Sequence, residues 1–256
     1  MKNVLKERLQ KGQKVLGTMF KAGSNTAVEC FGYAGLDFFV IDTEHGPFDV
    51  ESALDFIRTA ELSDTTPLVR VKDSTRASVL KMLDVGARGI IIPNINSIEE
   101  VEKIVEYGKY YPLGQRGFAT NRAGGFGFAD FACETENYLA TANRQTMLIP
   151  QCETLGCLEN IEKITNIEGV DGIFVGPYDL SVALGKPAQV NSQEVSGAIE
   201  RILKACKTAG KFAFIFAGSK EVARKYFAAG YDAVAYSTDA IIYIEAYKQI
   251  IAEIKG

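Results

Sequence analysis

The sequence predicts an α/β protein: a (β/α)8 TIM barrel formed as one domain over residues 1–256. Three observations lead there. First, one local pattern recurs, in which a helix end is followed by a glycine, one or two residues, and a short apolar run that ends in polar groups. It appears as AGLDFFVIDTEH (34–45), VGARGIIIPNI (85–95), EGVDGIFVGPYD (168–179) and AGYDAVAYSTD (229–239). Glycine closes the helix in the left-handed conformation. The run after it is apolar on both faces, as a parallel strand covered by helices must be. Second, eight such strands alternate with helical patterns along the chain. Third, Pro/Gly clusters sit at strand ends and no linker divides the chain. A doubly wound open sheet is the rival fold, but no G-x-G-x-x-G follows the first strand and there is no P-loop.

Taken in order, a charged amphipathic helix opens the chain in MKNVLKERLQKGQK. The strands are expected at Val15–Phe20, Phe38–Asp42, Leu68–Val71, Gly89–Ile92, Thr146–Gln151, Gly172–Val175, Phe212–Phe216 and Ala233–Tyr236. The helices between and after them are expected at Asn25–Ala34, Val50–Ala60, Ala77–Val85, Ile98–Tyr107, Leu155–Ile164, Ser192–Ala209, Lys220–Ala229 and Ala240–Ile254. Between strands four and five lies an irregular insert, Tyr111–Arg144, with glycine, phenylalanine and two arginines in PLGQRGFATNRAGGFGF. A loop of this length inside a compact domain is expected to be a lid, a binding loop or an interface, with plain surface decoration as the alternative.

Composition is that of a globular protein, 47% hydrophobic and 23% charged in 256 residues, with a net charge of −4. Lysine and arginine are spread along helices, which leaves no basic footprint for nucleic acid. No apolar run approaches the roughly 20 residues of a membrane span, and the N-terminus has no apolar signal core. The five cysteines match no zinc spacing and suit free thiols in a reducing compartment. The protein is expected in the cytoplasm.

Barrel enzymes work at the C-terminal ends of their strands, which shortens the search for chemistry. Strand two ends in Asp42-Thr43-Glu44-His45-Gly46-Pro47, strand three in Arg70 with Lys72 beyond it, and strand four in Pro93-Asn94. Strand five supplies Gln151 and Glu153, strand six Asp179, and strand eight Ser237, Thr238 and Asp239. Strands one and seven offer only Lys21 and Ser219. His45, the only histidine, sits in a polar turn at this rim and suits proton transfer near neutral pH. Alternation puts Arg70 on the same side of its strand as Leu68, where it either pairs with Glu44 or another acid or captures a substrate carboxylate. Glu153 and Asp179 share one rim and suit a hard metal ion, an acid/base pair or a salt-bridged scaffold; an oxygen-only pair favours Mg2+ or Mn2+. Asp84 falls near the apolar face of its helix and either caps the helix end or orients a histidine. Lys72 is the one candidate for Schiff-base chemistry.

Five blocks, VIDTEHGPFD (40–49), VR (69–70), LDVGARGIIIPNI (83–95), IPQCET (149–154) and GVDGIFVGPYDLS (169–181), together resemble the HpcH/HpaI aldolase family. These are class II, metal-dependent pyruvate aldolases, with 4-hydroxy-2-oxoheptanedioate and 2-dehydro-3-deoxyglucarate aldolases among their members. The resemblance implies that Glu153 and Asp179 bind a divalent metal (Mg2+ or Mn2+, with Co2+ possible) completed by waters and a 2-oxo acid. It implies that His45 is the catalytic base, Asp84 the aspartate that raises its basicity, and Arg70 the group that stabilises the enolate. Gln151 would bind substrate, and the backbone N–H of Tyr178 would meet the pyruvate carboxylate. The reaction implied is cleavage of a 4-hydroxy-2-oxo acid to pyruvate and an aldehyde; a synthase running a citrate-forming condensation, or a barrel that only binds an oxo acid, are the alternatives. The family also implies a homo-oligomer, dimer to hexamer, in which the last helix, Ala240–Ile254, is exchanged between subunits.

Overall fold

The computed structural model describes residues 2–256, and in it eight parallel strands close into a barrel in sequence order. The strands are β1 (Val15–Phe20), β2 (Phe38–Asp42), β3 (Thr66–Arg70), β4 (Gly89–Ile92), β5 (Met147–Cys152), β6 (Gly172–Val175), β7 (Phe212–Ala217) and β8 (Ala233–Thr238). The helices are α1 (Val4–Gln10), α2 (Asn25–Ala34), α3 (Val50–Ala60), α4 (Arg76–Val85), α5 (Ile98–Gly108), α6 (Thr135–Gln145), α7 (Leu155–Glu159), α8 (Ile161–Thr165), α9 (Pro177–Ala183), α10 (Gln193–Thr208), α11 (Lys220–Ala229) and α12 (Asp239–Lys255). The expected (β/α)8 barrel is therefore present, with every strand within two residues of its expected bounds.

Strand alternation divides the core into two. Met19, Phe38, Val40, Leu68, Ile91, Met147, Ile149, Phe174 and Phe214 fill the barrel, and Leu5 and Leu9 of α1 join this inner cluster. Phe20, Phe39, Ile41, Val69, Ile90, Ile92, Ile173, Val175 and Ile215 face outward into the layer under the helices. Phe38 needs room inside: β1 runs beside it, and a Cβ on Gly17 would lie 2.5 Å from both the Phe38 ring and its carbonyl oxygen. The same alternation carries Asp42 and Arg70 inward at the top of β2 and β3, where the register pairs them directly.

Helix starts follow their side-chain caps. Ser24, Asp49, Thr75, Ser97, Thr154, Ser192, Ser219 and Thr238 each accept a hydrogen bond from a first-turn backbone N–H. Gly35, Gly86 and Gly230 close α2, α4 and α11 at positive φ, as the recurring sequence pattern requires.

Three helical details depart from expectation. The helix expected over Leu155–Ile164 is two short helices, α7 and α8, broken at Asn160 (φ −104°, ψ 11°), whose amide donates to the Gly156 carbonyl at 3.0 Å. An asparagine that bonds back to its own turn competes with helix continuation. The insert is not irregular throughout: α6 occupies 135–145, its polar sequence TENYLATANRQ burying only Tyr138, Thr141 and Ala142. The short α9 begins with Pro177 at its first position, directly after β6.

The last helix has little to pack against. Of the 17 residues of α12 only Asp239 is buried, while Ile241, Ile242, Tyr243, Ile244, Tyr247, Ile250, Ile251 and Ile254 are exposed. No helix among the described residues is long and apolar enough to cross a membrane.

Gly17→Ala should destabilise the fold by about 1–3 kcal/mol, since the carbonyl of Phe38 cannot rotate away from the added methyl. Urea denaturation would measure it. The double variant Gly17→Ala, Phe38→Leu should recover part of the loss, because the ring is the other atom group in the way.

Candidate active site

At the C-terminal ends of the strands a cavity of about 180 Å³ is lined by Lys21, Asp42, His45, Arg70, Gln151, Gly176, Pro177, Tyr178 and Asp179, with Met19, Phe174, Phe216 and Thr238. That is below the roughly 300–1,000 Å³ of sites for drug-sized ligands, so the cavity suits small acids. Every strand except β4 contributes, and the end of β6 with the first turn of α9 contributes the most, Phe174 and Gly176 to Asp179.

The turn after β2 is built on Asp42. Its Oδ1 accepts the backbone N–H of Glu44 (3.3 Å) and of His45 (3.2 Å), an arrangement open to aspartate because its short side chain reaches two residues on. Arg70 donates to the same carboxylate from Nε (2.9 Å) and Nη2 (2.7 Å), and its Nη1 lies 3.2 Å from Glu44 Oε2. Burial pushes the Asp42 carboxyl up, but the hydrogen bond and charge of Arg70 outweigh it and leave the pKa below the ordinary range. Glu44 goes the other way: burial raises its pKa more than Arg70 lowers it. The His45 ring is more than half exposed, with Nε2 3.8 Å from Glu44 Oε2.

On the far side, Glu153 is 5% exposed. Its Oε1 accepts the backbone N–H of Asn94 at 2.8 Å, and its Oε2 accepts from the Gln151 amide. Asn94 is held at φ +56°, a conformation that asparagine tolerates better than most residues, and its side chain donates to Glu44 Oε1 at 2.9 Å. A Cβ on Gly176 would stand 2.8 Å from Glu153 Oε2 and 3.0 Å from Gln151 Nε2, so only bare backbone fits there. Asp179 lies in the first turn of α9 and is exposed to the cavity. Tyr178 leans on Phe216, ring centroids 6.0 Å apart.

Residues 17–246 match the HpcH/HpaI aldolase/citrate lyase family. The chain belongs to that family. It is 33% identical to a 2-keto-3-deoxy-L-rhamnonate aldolase of Salmonella paratyphi B, over 100% of this chain and 94% of that protein. Among solved structures it superposes on an HpcH/HpaI aldolase/citrate lyase family protein from Burkholderia cenocepacia with a TM-score of 0.92 and 33% identity, covering 99% of this chain and 100% of that one. It also superposes on the citrate synthase SbnG with a TM-score of 0.88 and 30% identity, covering 98% of this chain and 97% of that one. The protein is a carbon–carbon lyase of the HpcH/HpaI type.

Six of the seven residues singled out from the sequence of this HpcH/HpaI chain, His45, Arg70, Gln151, Glu153, Tyr178 and Asp179, gather at the barrel mouth. Asp84 does not. It lies in the last turn of α4 and accepts from Arg116 Nη2 (2.7 Å) and Asn121 Nδ2 (2.8 Å) of the insert. Within one chain the carboxylate paired with His45 is that of Glu44. Asp84 lies near the apolar face of α4, as its spacing implies, but that end of the helix meets the insert, so its partners are Arg116 and Asn121 rather than a histidine. The expected pairing of Arg70 with Glu44 or another acid is present, to both Glu44 and Asp42, whereas Asp42 and Asn94 are strand-end residues to which the sequence assigns no role. Nothing in the sequence marks Asn94 for positive φ except that it is an asparagine before a polar turn.

The electrostatics suit a divalent cation. Four carboxylates, Asp42, Glu44, Glu153 and Asp179, stand with two basic side chains, Arg70 and Lys21, at this mouth. Burial pushes the Glu153 pKa up to about 7, and the negative charges of Asp179 and Glu44 add to the rise. Gln151 Oε1 and Glu44 Oε2 are buried without hydrogen-bond partners. Among the described residues no group of three or more His, Cys, Asp or Glu could hold a metal.

Because the Glu153 pKa is raised above its ordinary 4.5 to about 7, its contribution to metal-free stability is present below pH 4.5 and is lost as pH rises through 7. Metal-free protein should therefore be less stable at pH 8 than at pH 5 by up to roughly 3 kcal/mol relative to Glu153→Gln, which lacks this titration. Guanidinium melts of both proteins at the two pH values would test it. Divalent-ion affinity should fall about tenfold per pH unit below 7, since the ligand must be deprotonated.

Proposed function

We propose that the protein cleaves 4-hydroxy-2-oxo acids to pyruvate and an aldehyde, and catalyses the reverse condensation. The observation that carries this reading is the gathering of Asp179, Arg70 and His45 on one small cavity at the strand ends, with the buried Glu153 carboxylate beside it, hydrogen-bonded to the Gln151 that lines the cavity and within reach of the charge of Asp179. Glu153 and Asp179 are the residues that would hold a divalent cation, Mg2+ or Mn2+, which when bound supplies Lewis-acid polarisation of a 2-oxo acid.

The chain's own residues supply the rest. His45, on the open side of the cavity, accepts the proton of the substrate's 4-hydroxyl. The C3–C4 electron pair then moves toward the 2-oxo group, and C3 is protonated to give pyruvate. Arg70 is fixed through three of its nitrogens by Asp42 and Glu44, so its charge stands ready for the oxygen on which negative charge develops. The backbone N–H of Tyr178, in the first turn of α9 where such groups have no intrahelical partner, would take the pyruvate carboxylate, and Gln151 would orient the donor. Asp84 would support the catalysis through the insert it anchors. Lys72 lines a neighbouring cavity with Thr75, Ser78 and Lys81, which speaks against Schiff-base chemistry. The likeness to a citrate synthase favours, as the second reading, an enzyme that uses the same donor chemistry to condense rather than cleave.

The protein is further proposed to be a cytoplasmic homo-oligomer in which α12 of one subunit packs on another; its exposed isoleucines support this. It has no nucleic-acid or membrane partner in this reading.

Pyruvate release from a panel of 4-hydroxy-2-oxo acids should be abolished by EDTA and restored by Mn2+, and Arg70→Ala should lower kcat/KM by 10²–10³-fold. Chelator-insensitive cleavage with borohydride trapping would overturn the metal-dependent reading in favour of Lys72. Exchange of the pyruvate methyl protons with no cleavage of any substrate would favour the condensing enzyme.

Sedimentation analysis should find the native chain as a dimer or larger, and the double variant Ile244→Asp, Ile251→Asp should shift it toward monomer. An unchanged sedimentation coefficient would place the subunit contacts elsewhere.

A further inference from the structure

The reaction assigns nothing to Lys72. That lysine lies on a second cavity, of about 260 Å³, bounded by the turn after β2, the residues that follow β3, and helix α4. It is larger than the cavity at the strand ends. One turn serves both: Asp42 and His45 line the first cavity, and Thr43, Phe48 and Asp49 line the second.

The second cavity has an apolar floor and a cationic edge. Phe48, Val50, Val71 and Met82 supply the carbon surface, and Val71 and Met82 are buried. Lys72 and Lys81 supply the charge. Both are exposed, and among the described residues neither ammonium has a carboxylate within ion-pair distance. The hydroxyls on the wall are already committed as donors: Thr43 to the Arg70 carbonyl at 2.8 Å, and Thr75 and Ser78 each to Asp73 Oδ1 at 2.6 Å. The side-chain donors left over are the two ammonium groups, with three N–H each.

Charge sets the sign of the ligand. Asp49 is the carboxylate on the wall, against two lysines, and its Oδ1 already caps α3 by accepting the backbone N–H of Glu51 (3.1 Å) and of Ser52 (3.0 Å). An anionic head on a hydrocarbon body satisfies both halves of the cavity. The head takes the free lysine donors, and the body covers apolar surface that is otherwise wet.

What binds there touches the catalytic turn from behind. The Phe48 ring packs against those of Phe20 and Phe56, centroids 5.5 and 5.1 Å away, and stands beside Gly46, where an added Cβ would lie 3.3 Å from it. Gly46 directly follows His45. On the other flank Val71 and Lys72 continue the chain from Arg70. A ligand seated against Phe48 and Val71 therefore bears on the segments that carry both His45 and Arg70.

We propose that this cavity is a binding site for a small organic monocarboxylate with an apolar body, and that its occupation is transmitted to the turn that carries His45. The site is separate from the one at which the aldolase reading places its substrates.

The probe is 4-methylpentanoate, compared with the uncharged 4-methylpentanamide and with acetate, which lacks the body. Each is titrated calorimetrically into the full chain supplied with Mg2+, into the double variant Lys72→Met, Lys81→Met, and into the double variant Lys72→Arg, Lys81→Arg. Thermal melts establish that both variants are folded. His45 is the only histidine, so its ring C–H signals in the NMR spectrum report on the turn directly. The native protein should bind 4-methylpentanoate with a Kd of about 1 mM or tighter, and the amide and acetate at least tenfold more weakly. The Met variant should lose at least tenfold in affinity for the acid while the Arg variant keeps most of it, and binding to the native protein should shift the His45 signals. No binding of the acid, or equal binding of acid and amide, overturns the proposal. Undiminished affinity in the Met variant overturns it too, since the carboxylate would then sit among the residues at the strand ends. His45 signals that stay in place while the acid binds overturn the coupling to the catalytic turn. The titration needs no turnover, so failure of the aldolase reading in the pyruvate-release assay and failure of this proposal are read separately.

Discussion

The paired carboxylate and guanidinium of Asp42 and Arg70 hold the rest of the site in place. Both are buried, at the tops of neighbouring strands whose register sets them side by side. Arg70 meets two carboxylates at once, Asp42 through two nitrogens and Glu44 through a third. Asp42 in turn accepts the backbone of Glu44 and His45, so the conformation of the turn that carries the histidine depends on the same carboxylate that fixes the arginine. Breaking a buried pair by removing one partner strands the other charge, at about 3–5 kcal/mol. Loss of Arg70 would therefore reach the His45 turn as well as the cavity.

From that pair a chain of contacts runs round the mouth. Glu44 accepts from the Asn94 side chain, the Asn94 backbone donates to Glu153, and Glu153 accepts from Gln151. Four strand ends are thereby linked through side chains, from β2 to β5, without any of these groups leaving the rim. The cost of the arrangement is local: Asn94 takes a positive φ, and Gly176 and Gly46 must lack a side chain because Glu153 Oε2 and the Asp42 carbonyl occupy that space. Strain confined to strand ends and covered by a packed barrel is where function is usually found.

How much of this could be read from the sequence follows from what each feature depends on. The strands were legible because parallel strands covered on both faces are apolar throughout, and β2, β3 and β5 are buried at every position. The inward direction of Arg70 was legible because strand alternation has a period of two. Helix α4 supplied no such certainty at its end: Asp84 sits near an apolar stripe, yet its partners, Arg116 and Asn121, come from a segment more than thirty residues on. The break at Asn160 and the left-handed Asn94 turn on single side-chain hydrogen bonds, which leave no periodic trace.

The insert between β4 and β5 illustrates the same division between local and distant control. Its base is fixed to the barrel. Arg116, 6% exposed, bonds Asp84 and stacks on the Tyr110 ring at 4.7 Å, and Arg122 donates to the Val85 carbonyl and to Glu61. Its tip is different: Gly125 and Phe126 both take positive φ, and Phe126 and Phe128 are 62% and 89% exposed. A hinged lid needs a mobile base, whereas here the base is anchored by buried and half-buried ions, and Phe126 and Phe128 at the tip are uncovered. Exposed aromatic rings on a rigid support are the usual composition of an interface between proteins rather than of a cover for a small cavity. The isoleucine face of α12 is a second apolar surface left exposed, at the C-terminal end of the chain.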